Sequence, residues 1–247
     1  MRNKKKVIKN INNFPRELSV VIPVYNEEKR WEKGLRICLK FYKEHKNWEF
    51  IFINDGSTDK TEKIIKNSIK NLFRMKLVSY EKNQGKGFAL KQGVEKASKS
   101  FILITDIDFS VSMEELKFFY PLIKKGADIV IGSRKVKKAK IIKHQKFLRE
   151  WLGTRFTNLS NLWLGLNISD FTCGFKLFKK NAGKKLFELS KIKRWGYDAE
   201  IIYLAFKKGY KVKEMPVIWK NDEKTKVSLI KDVFRSLLDL LLIRIYW

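Results

Sequence analysis

Phe101-Ile102-Leu103-Ile104-Thr105-Asp106-Ile107-Asp108 is the stretch that decides the fold of this chain. Residues 101–105 are a short apolar run without alternation, which predicts a strand buried within a sheet. Two carboxylates, two residues apart, follow at its exit. Such a pair holds a divalent ion, Mg²⁺ or Mn²⁺, while phosphate oxygens and water complete the shell, because these ions take few protein carboxylates. Ligands of open α/β sheets gather beyond the carboxyl ends of the strands, so Asp106 and Asp108 stand where a phosphate-bearing substrate would be met.

Two further clusters repeat the pattern. Leu18-Ser19-Val20-Val21-Ile22-Pro23-Val24 runs into Tyr25-Asn26-Glu27-Glu28, and Phe50-Ile51-Phe52-Ile53 runs into Asn54-Asp55-Gly56-Ser57-Thr58-Asp59. Each alone is a strand-end turn with a helix cap. Three in succession argue for one site shared by three strand ends. Asp55 and Tyr25 stand at two of those ends.

Strands are expected at 18–24, 48–54, 76–79, 101–105 and 128–132, with helices at 28–44, 60–70, 86–97 and 113–124 between them. This alternation predicts a single Rossmann-like, mostly parallel sheet with right-handed crossovers and helices on both faces. Residues 1–17 read as a basic arm, 18–226 as the main domain, and 134–146 as a basic mobile loop. Two later segments carry apolar residues at helical spacing, 147–166 and 227–247. Neither is a run of 18 or more apolar residues, so neither is a spanning helix. Trp and basic residues on both fit interfacial helices, with packing on the domain core as the alternative for each, and the C-terminal one is expected to be amphipathic and membrane-associated.

The motifs Pro23-Val24-Tyr25-Asn26-Glu27, Asn54-Asp55-Gly56-Ser57-Thr58-Asp59 and Asp106-Ile107-Asp108 resemble those of family 2 glycosyltransferases with the GT-A nucleotide-sugar-binding fold. Asn83-Gln84-Gly85-Lys86-Gly87, Asp170-Phe171-Thr172-Cys173-Gly174-Phe175-Lys176-Leu177-Phe178 and Arg194-Trp195-Gly196-Tyr197-Asp198-Ala199-Glu200 narrow the likeness to polyprenyl-phosphate hexose transferases, and within them to dolichyl-phosphate β-glucosyltransferases. The likeness runs from about residue 18 onward. It implies transfer of glucose from UDP-glucose to a dolichyl or polyprenyl phosphate, with inversion and a divalent metal. It also implies that Pro23, Tyr25, Glu27, Asp55, Lys86, Asp106, Ile107 and Asp108 line the nucleotide-sugar site, with Asp55 placed to accept from a base N–H and Tyr25 to stack on or border the base. Arg194, Trp195 and Asp198 then shape the sugar and acceptor site, and Lys226 contacts phosphate.

Arg134, just past a strand end, is suited to clamp the acceptor phosphate. Asp170 orients the acceptor or a sugar hydroxyl, or serves as a base; the sequence leaves these roles open. Arg134→Ala and Lys226→Ala are expected to leave stability within about 0.5 kcal/mol, as at surface positions. Some mannosyl relatives carry a side-chain metal ligand where this chain has Ser110, a weak donor, and many relatives have aspartate at Asn54.

The chain's 247 residues suffice for one large core, and its formal charge of +28 at pH 7 demands an anionic partner or a lysine-rich composition. The lysines are dispersed and no nucleic-acid recognition motif is present, which favours an anionic membrane surface over nucleic acid. Cys38 and Cys173 are too few for a disulfide framework, which points to a reducing compartment. The expected location is peripheral, on the cytoplasmic face of a membrane. Two readings compete with UDP-glucose transfer: a mannosyltransferase using GDP-mannose, and a basic nucleic-acid- or membrane-binding module without catalysis.

Overall fold

The computed structural model describes residues 13–145, 147–220 and 229–247. In chain order the elements are β1 (Leu18–Val24), α1 (Trp31–Glu44), β2 (Trp48–Asp55), α2 (Thr61–Ile69), β3 (Met75–Tyr80), α3 (Lys86–Lys96) and β4 (Phe101–Ile104). A 3₁₀ turn (Met113–Glu115) leads into α4 (Leu116–Lys124), followed by β5 (Ile129–Ser133), β6 (Lys140–Lys143), α5 (Phe147–Leu164) and β7 (Lys176–Lys179). Then come α6 (Lys180–Leu189), α7 (Tyr197–Lys207), β8 (Val212–Pro216), β9 (Ile218–Lys220) and α8 (Leu229–Tyr246).

Seven strands form one sheet in the order β3-β2-β1-β4-β7-β5-β8. All are parallel except β7, which runs antiparallel to both β4 and β5. Alternate residues feed two cores, one on each side of the sheet. Val20, Ile22, Phe50, Phe52 and Leu103 pack with Trp31, Phe41 and Phe119. Val21, Ile51, Ile53, Ile102 and Ile104 pack with Leu90, Leu186 and Ile201. Burial on both faces is why these strands read as continuous apolar runs. The expected α/β architecture, with helices on both faces of a mostly parallel sheet, is the one observed. The carboxyl ends of β1, β2, β4 and β5 open on one edge, and the segment entering β7 arrives at that same edge.

Three segments differ from expectation. Residues 134–146, expected as a mobile loop, contain β6, which pairs in parallel with β9 as a separate two-stranded ribbon. It forms because Ile141 and Trp219, partners in register, turn inward against the core. Within the supposed N-terminal arm, Phe14 packs on Phe41 and Trp48, and Pro15 O accepts from Trp48 Nε1 at 2.9 Å. At the other end, α8 docks one face on the domain through buried Leu240 and Ile243, while Leu238, Leu241 and Ile245 stay exposed. Among the described residues no helix is long and apolar enough to cross a membrane.

Candidate active site at the carboxyl edge of the sheet

The loop after β4 turns tightly. Phe109 N donates to Asp106 O at 3.1 Å, and Phe109 adopts a left-handed φ of 48°. That conformation is costly for a bulky residue and persists only when its surroundings enforce it. Here the side chain of Phe109 is buried in the core, and Ile107 beside it packs against Gly34 of α1 so closely that a Cβ would sit 2.6 Å from Ile107 Cδ1. The apolar members of the turn are thus anchored inward. Asp106 and Asp108, at alternate positions, keep part of their carboxylates exposed.

Both carboxylates are held by cations and backbone. Lys86 Nζ donates to Asp106 Oδ1 at 2.6 Å. Asp108 Oδ1 accepts from Ser110 N at 2.9 Å, and Arg30 Nη1 stands 3.7 Å from Asp108 Oδ2. Burial opposes charge on Asp106, but Lys86 outweighs it and holds the carboxyl below its ordinary pKa. Asp108 is pushed the other way by burial and by the neighbouring Asp106 charge. Such a split is the response of two close carboxylates to each other. Arg30, which sequence reasoning missed, forks onto Glu27 through Nε and Nη2, both at 2.6 Å, and so links the β1 exit to Asp108. Its only sequence signal is the i,i+3 spacing from Glu27.

The residues expected to line the nucleotide pocket gather at the same edge. Pro23 lies half-buried in β1 opposite Ile53, and Tyr25 is exposed just beyond the strand. Glu27 is buried, its N–H donating to Thr61 Oγ1 at 2.7 Å. Asn26 Oδ1 accepts from Thr58 N at 2.8 Å, tying the exits of β1 and β2 together. Asp55 is buried, and its carboxylate is given to the turn before α3. Oδ1 accepts from Tyr80 Oη and Gln84 N, each at 2.8 Å, and Oδ2 from Asn83 Nδ2 and Gly85 N, each at 2.9 Å. Four donors occupy the lone-pair sites of a carboxylate, so the geometry makes Asp55 the anchor of the 83–85 turn rather than an acceptor open to a base.

That turn places Lys86. Gly85 has φ of 105°, and a Cβ there would meet Lys193 O at 2.6 Å. Phe88 N donates to Lys193 O at 3.0 Å. The 83–88 turn and the 192–197 loop therefore pack as one unit, with Lys86 Nζ lying 5.5 Å from the centre of the exposed Trp195 ring and the Arg194 side chain against Gly85. Asp198, next along, is buried and paired with the fully buried Lys176 Nζ, which also donates to Cys173 O at 2.6 Å. Glu200, equally buried, accepts from Lys191 N and Ile192 N, each at 2.9 Å, and from Trp247 Nε1 of the C-terminal segment at 3.0 Å.

Arg134 and Asp170, expected on the acceptor side, are partners rather than separate groups. Arg134 Nε reaches Asp170 Oδ2 at 2.7 Å, Nη2 reaches Oδ1 at 2.8 Å, and Arg134 N donates to Oδ2 at 3.0 Å. Arg134 Nη2 also donates to Thr172 Oγ1 at 2.7 Å. Burial opposes the Asp170 charge, yet Arg134 overcomes it and holds the carboxyl at about 2. Asp170 is therefore poorly suited to act as a base at neutral pH. From Asp170 the chain runs to Gly174, where there is no space for a Cβ beside Asp106 Oδ2. Lys226 lies outside the described residues.

The metal expectation can be tested against this geometry. Among the described residues no group of three or more His, Cys, Asp or Glu side chains converges as a closed cage. Asp106 and Asp108 offer hard oxygen donors on one turn, and Gly174 leaves Asp106 Oδ2 uncrowded by side chain. This set fits a Mg²⁺ or Mn²⁺ ion that shares its shell with substrate phosphate and water.

The sequence profile described as "Glycosyl transferase family 2" matches residues 19–187, and the chain belongs to that family of sugar-transferring enzymes. Dolichyl-phosphate beta-glucosyltransferase ALG5A of Trichomonas vaginalis is 33% identical over 241 residues, covering 93% of this chain and 73% of that protein. The Saccharomyces cerevisiae dolichyl-phosphate beta-glucosyltransferase is 32% identical over 247 residues, covering 92% and 74%. Among solved structures, glucosyl-3-phosphoglycerate synthase from Mycobacterium tuberculosis with UDP superposes at a TM-score of 0.64 with 18% identity, over 92% of this chain and 80% of that one. Mannosyltransferase PcManGT from Pyrobaculum calidifontis with GDP-Man and Mn²⁺ gives 0.61 and 17%, over 94% and 64%. These likenesses establish the GT-A fold.

Proposed function

We propose that the enzyme transfers glucose from UDP-glucose to a dolichyl or other polyprenyl phosphate, with inversion at the sugar carbon. The observation that carries this reading is the juxtaposition at one sheet edge of the Asp106/Asp108 pair and the Arg134–Asp170 pair, joined by residues 170–174. The dolichyl-phosphate beta-glucosyltransferases it resembles support the choice of sugar and acceptor.

Asp106 and Asp108 would hold the divalent ion, which when bound neutralises charge developing on the departing nucleoside diphosphate. Lys86, fixed at Asp106, adds positive charge on the donor side, with the Trp195 ring beside it as an apolar wall. A polyprenyl phosphate is largely a dianion near neutral pH, its second pKa being about 6. It is a competent nucleophile without a protein base, in keeping with an Asp170 carboxyl held at about 2. What it needs is position. Arg134, locked in place by two hydrogen bonds to Asp170 and still partly exposed, supplies a fixed cation for that phosphate. Peripheral attachment at the cytoplasmic face of a membrane completes the reading. A lipid acceptor requires a nearby bilayer, and Cys38 and Cys173, both buried and unbridged, suit a reducing compartment.

A radiolabel transfer assay tests this directly. UDP-glucose and GDP-mannose are offered separately with a short polyprenyl phosphate and Mg²⁺ or Mn²⁺. Label from UDP-glucose in the lipid fraction supports the reading. Label from GDP-mannose alone replaces the donor, and none from either refutes lipid-phosphate transfer.

A further inference from the structure

Helix α5 buries Leu164, Thr157 and Ser160 and packs Phe156 on the core, while Trp151, Leu159, Leu162 and Trp163 are exposed, Trp163 with its Nε1 donating to Leu240 O of α8 at 3.1 Å. The ribbon beside it also carries apolar side chains on its outer face. With Ile141 and Trp219 turned inward, strand alternation turns Lys140, Ile142, Ile218 and Lys220 outward. Ile142 is 65% exposed, and Phe147 at the start of α5 is 81% exposed. Ribbon and helix are tied at this point, because Glu150 of the first helical turn accepts from Gln145 N at 2.9 Å and contacts His144 Nδ1 at 3.1 Å. Between Lys135 and Arg155 that glutamate is the sole acidic residue. On the side facing the domain, Trp219 of the ribbon packs 5.5 Å from the Arg134 guanidinium.

We infer that the outer face of the β6–β9 ribbon and the adjoining face of α5 form the surface that sits on an anionic phospholipid bilayer. The inference rests on the lipid-acceptor reading only for its biological purpose. Its physical grounds are separate: exposed isoleucine and aromatic side chains that water does not favour, beside the lysines and arginines of residues 135–155, where Glu150 is the one acid. Apolar insertion combined with cationic attraction is the composition of an interfacial membrane contact. The placement has a consequence for catalysis. Bilayer contact on the outer side of the ribbon would bring lipid headgroups close to Arg134, which Trp219 of the ribbon backs at 5.5 Å. Helix α8, with its own inner face committed to the domain, is a secondary contact.

The test is co-sedimentation of the full chain with phosphatidylcholine vesicles, with and without phosphatidylglycerol. The variants are Ile142→Glu with Phe147→Glu, Lys140→Glu with Lys220→Glu, and, on α8, Leu241→Glu with Ile245→Glu. Thermal melts confirm folding, and sugar transfer to a short water-soluble prenyl phosphate reports on the site itself. Wild type should bind the phosphatidylglycerol vesicles. Each of the first two pairs should lower binding at least about tenfold, with soluble transfer unchanged, and the α8 pair should lower it less. Wild type that fails to bind, or first two pairs that bind like wild type while the α8 pair does not, overturns the assignment. Duplex DNA that competes with vesicles for the same lysines at matched salt also overturns it, in favour of a nucleic-acid surface. Vesicle binding lost in the ribbon variants of an enzyme that transfers sugar to no prenyl phosphate upholds the surface and refutes the transfer reading instead.

Discussion

Arg134 grips Asp170 with two prongs, at 2.7 and 2.8 Å, and the carboxylate it grips has no solvent exposure. The sequence alone placed Arg134 among surface positions whose loss costs little; the burial of its partner reverses that. Arg134→Ala leaves a buried carboxylate without its cation and should cost about 3–5 kcal/mol. The pH dependence has a definite sign. The Asp170 carboxyl sits at about 2 in the folded protein and near 3.9 unfolded. Its stabilisation is complete above about pH 4 and fades as pH falls toward 2, amounting to about 2–3 kcal/mol. Denaturant midpoints measured at intervals between pH 5 and 2 should fall more steeply for wild type than for Asp170→Asn.

Asp108→Ala should keep the fold, since the side chain is partly exposed and burial, together with the Asp106 charge, already disfavours its ionised form. Its sugar transfer should drop at least about 100-fold under saturating Mg²⁺ or Mn²⁺, a loss of roughly 3 kcal/mol in transition-state stabilisation. Chelation of divalent ions from wild type should give a comparable loss, reversed on adding them back. A variant with near-normal turnover removes Asp108 from the metal site.

Gly174→Ala introduces a Cβ that collides with Asp106 Oδ2. Relieving the clash displaces either Asp106 or the 170–174 segment, at about 1–3 kcal/mol. Nucleotide affinity by calorimetry should weaken at least about tenfold, far beyond the effect of Gly153→Ala, where a Cβ meets nothing within 4 Å. Equal affinity in the two variants would show that the donor pocket tolerates the shift.

Trp247→Phe deletes the N–H that reaches Glu200 at 3.0 Å. A hydrogen bond to a charged group contributes about 1.5–3 kcal/mol, and Glu200 also carries the 191–192 backbone. The variant should melt lower and show faster hydrogen exchange at residues 191–197, leaving β1 and β2 protected. Uniform exchange across the sheet would mean that the C-terminal segment does not brace this loop.

Much of the donor half is written plainly in the sequence. β1, β2 and β4 are buried on both faces, so they appear as unbroken apolar runs, and the polar clusters that follow them mark the sheet edge. β7 was illegible for a physical reason. It is four residues long and opens with Lys176, whose 1% exposure is made possible by Asp198, a partner 22 positions away that no local pattern announces. β8 ends in Pro216, and β6 and β9 are shorter still, so alternation has no room to show. The same distance effect hid the site's pairings. Asp170 and Arg134 were each picked out by position, but only the antiparallel insertion of β7 brings them face to face.

That insertion also sets a ruler inside the enzyme. Asp170 is bound to Arg134, and four peptide units later Gly174 lies against Asp106. An extended chain of that length spans at most about 14 Å, so Arg134 and Asp106, proposed to hold the incoming nucleophile and the departing diphosphate, are tied to the two ends of a single short tether. Under the proposed roles, reach between the reactants is therefore set by the covalent spacing of residues 170–174. Lengthening this tether by one residue would change which pairs of substrates can meet, even with every contacting side chain left intact.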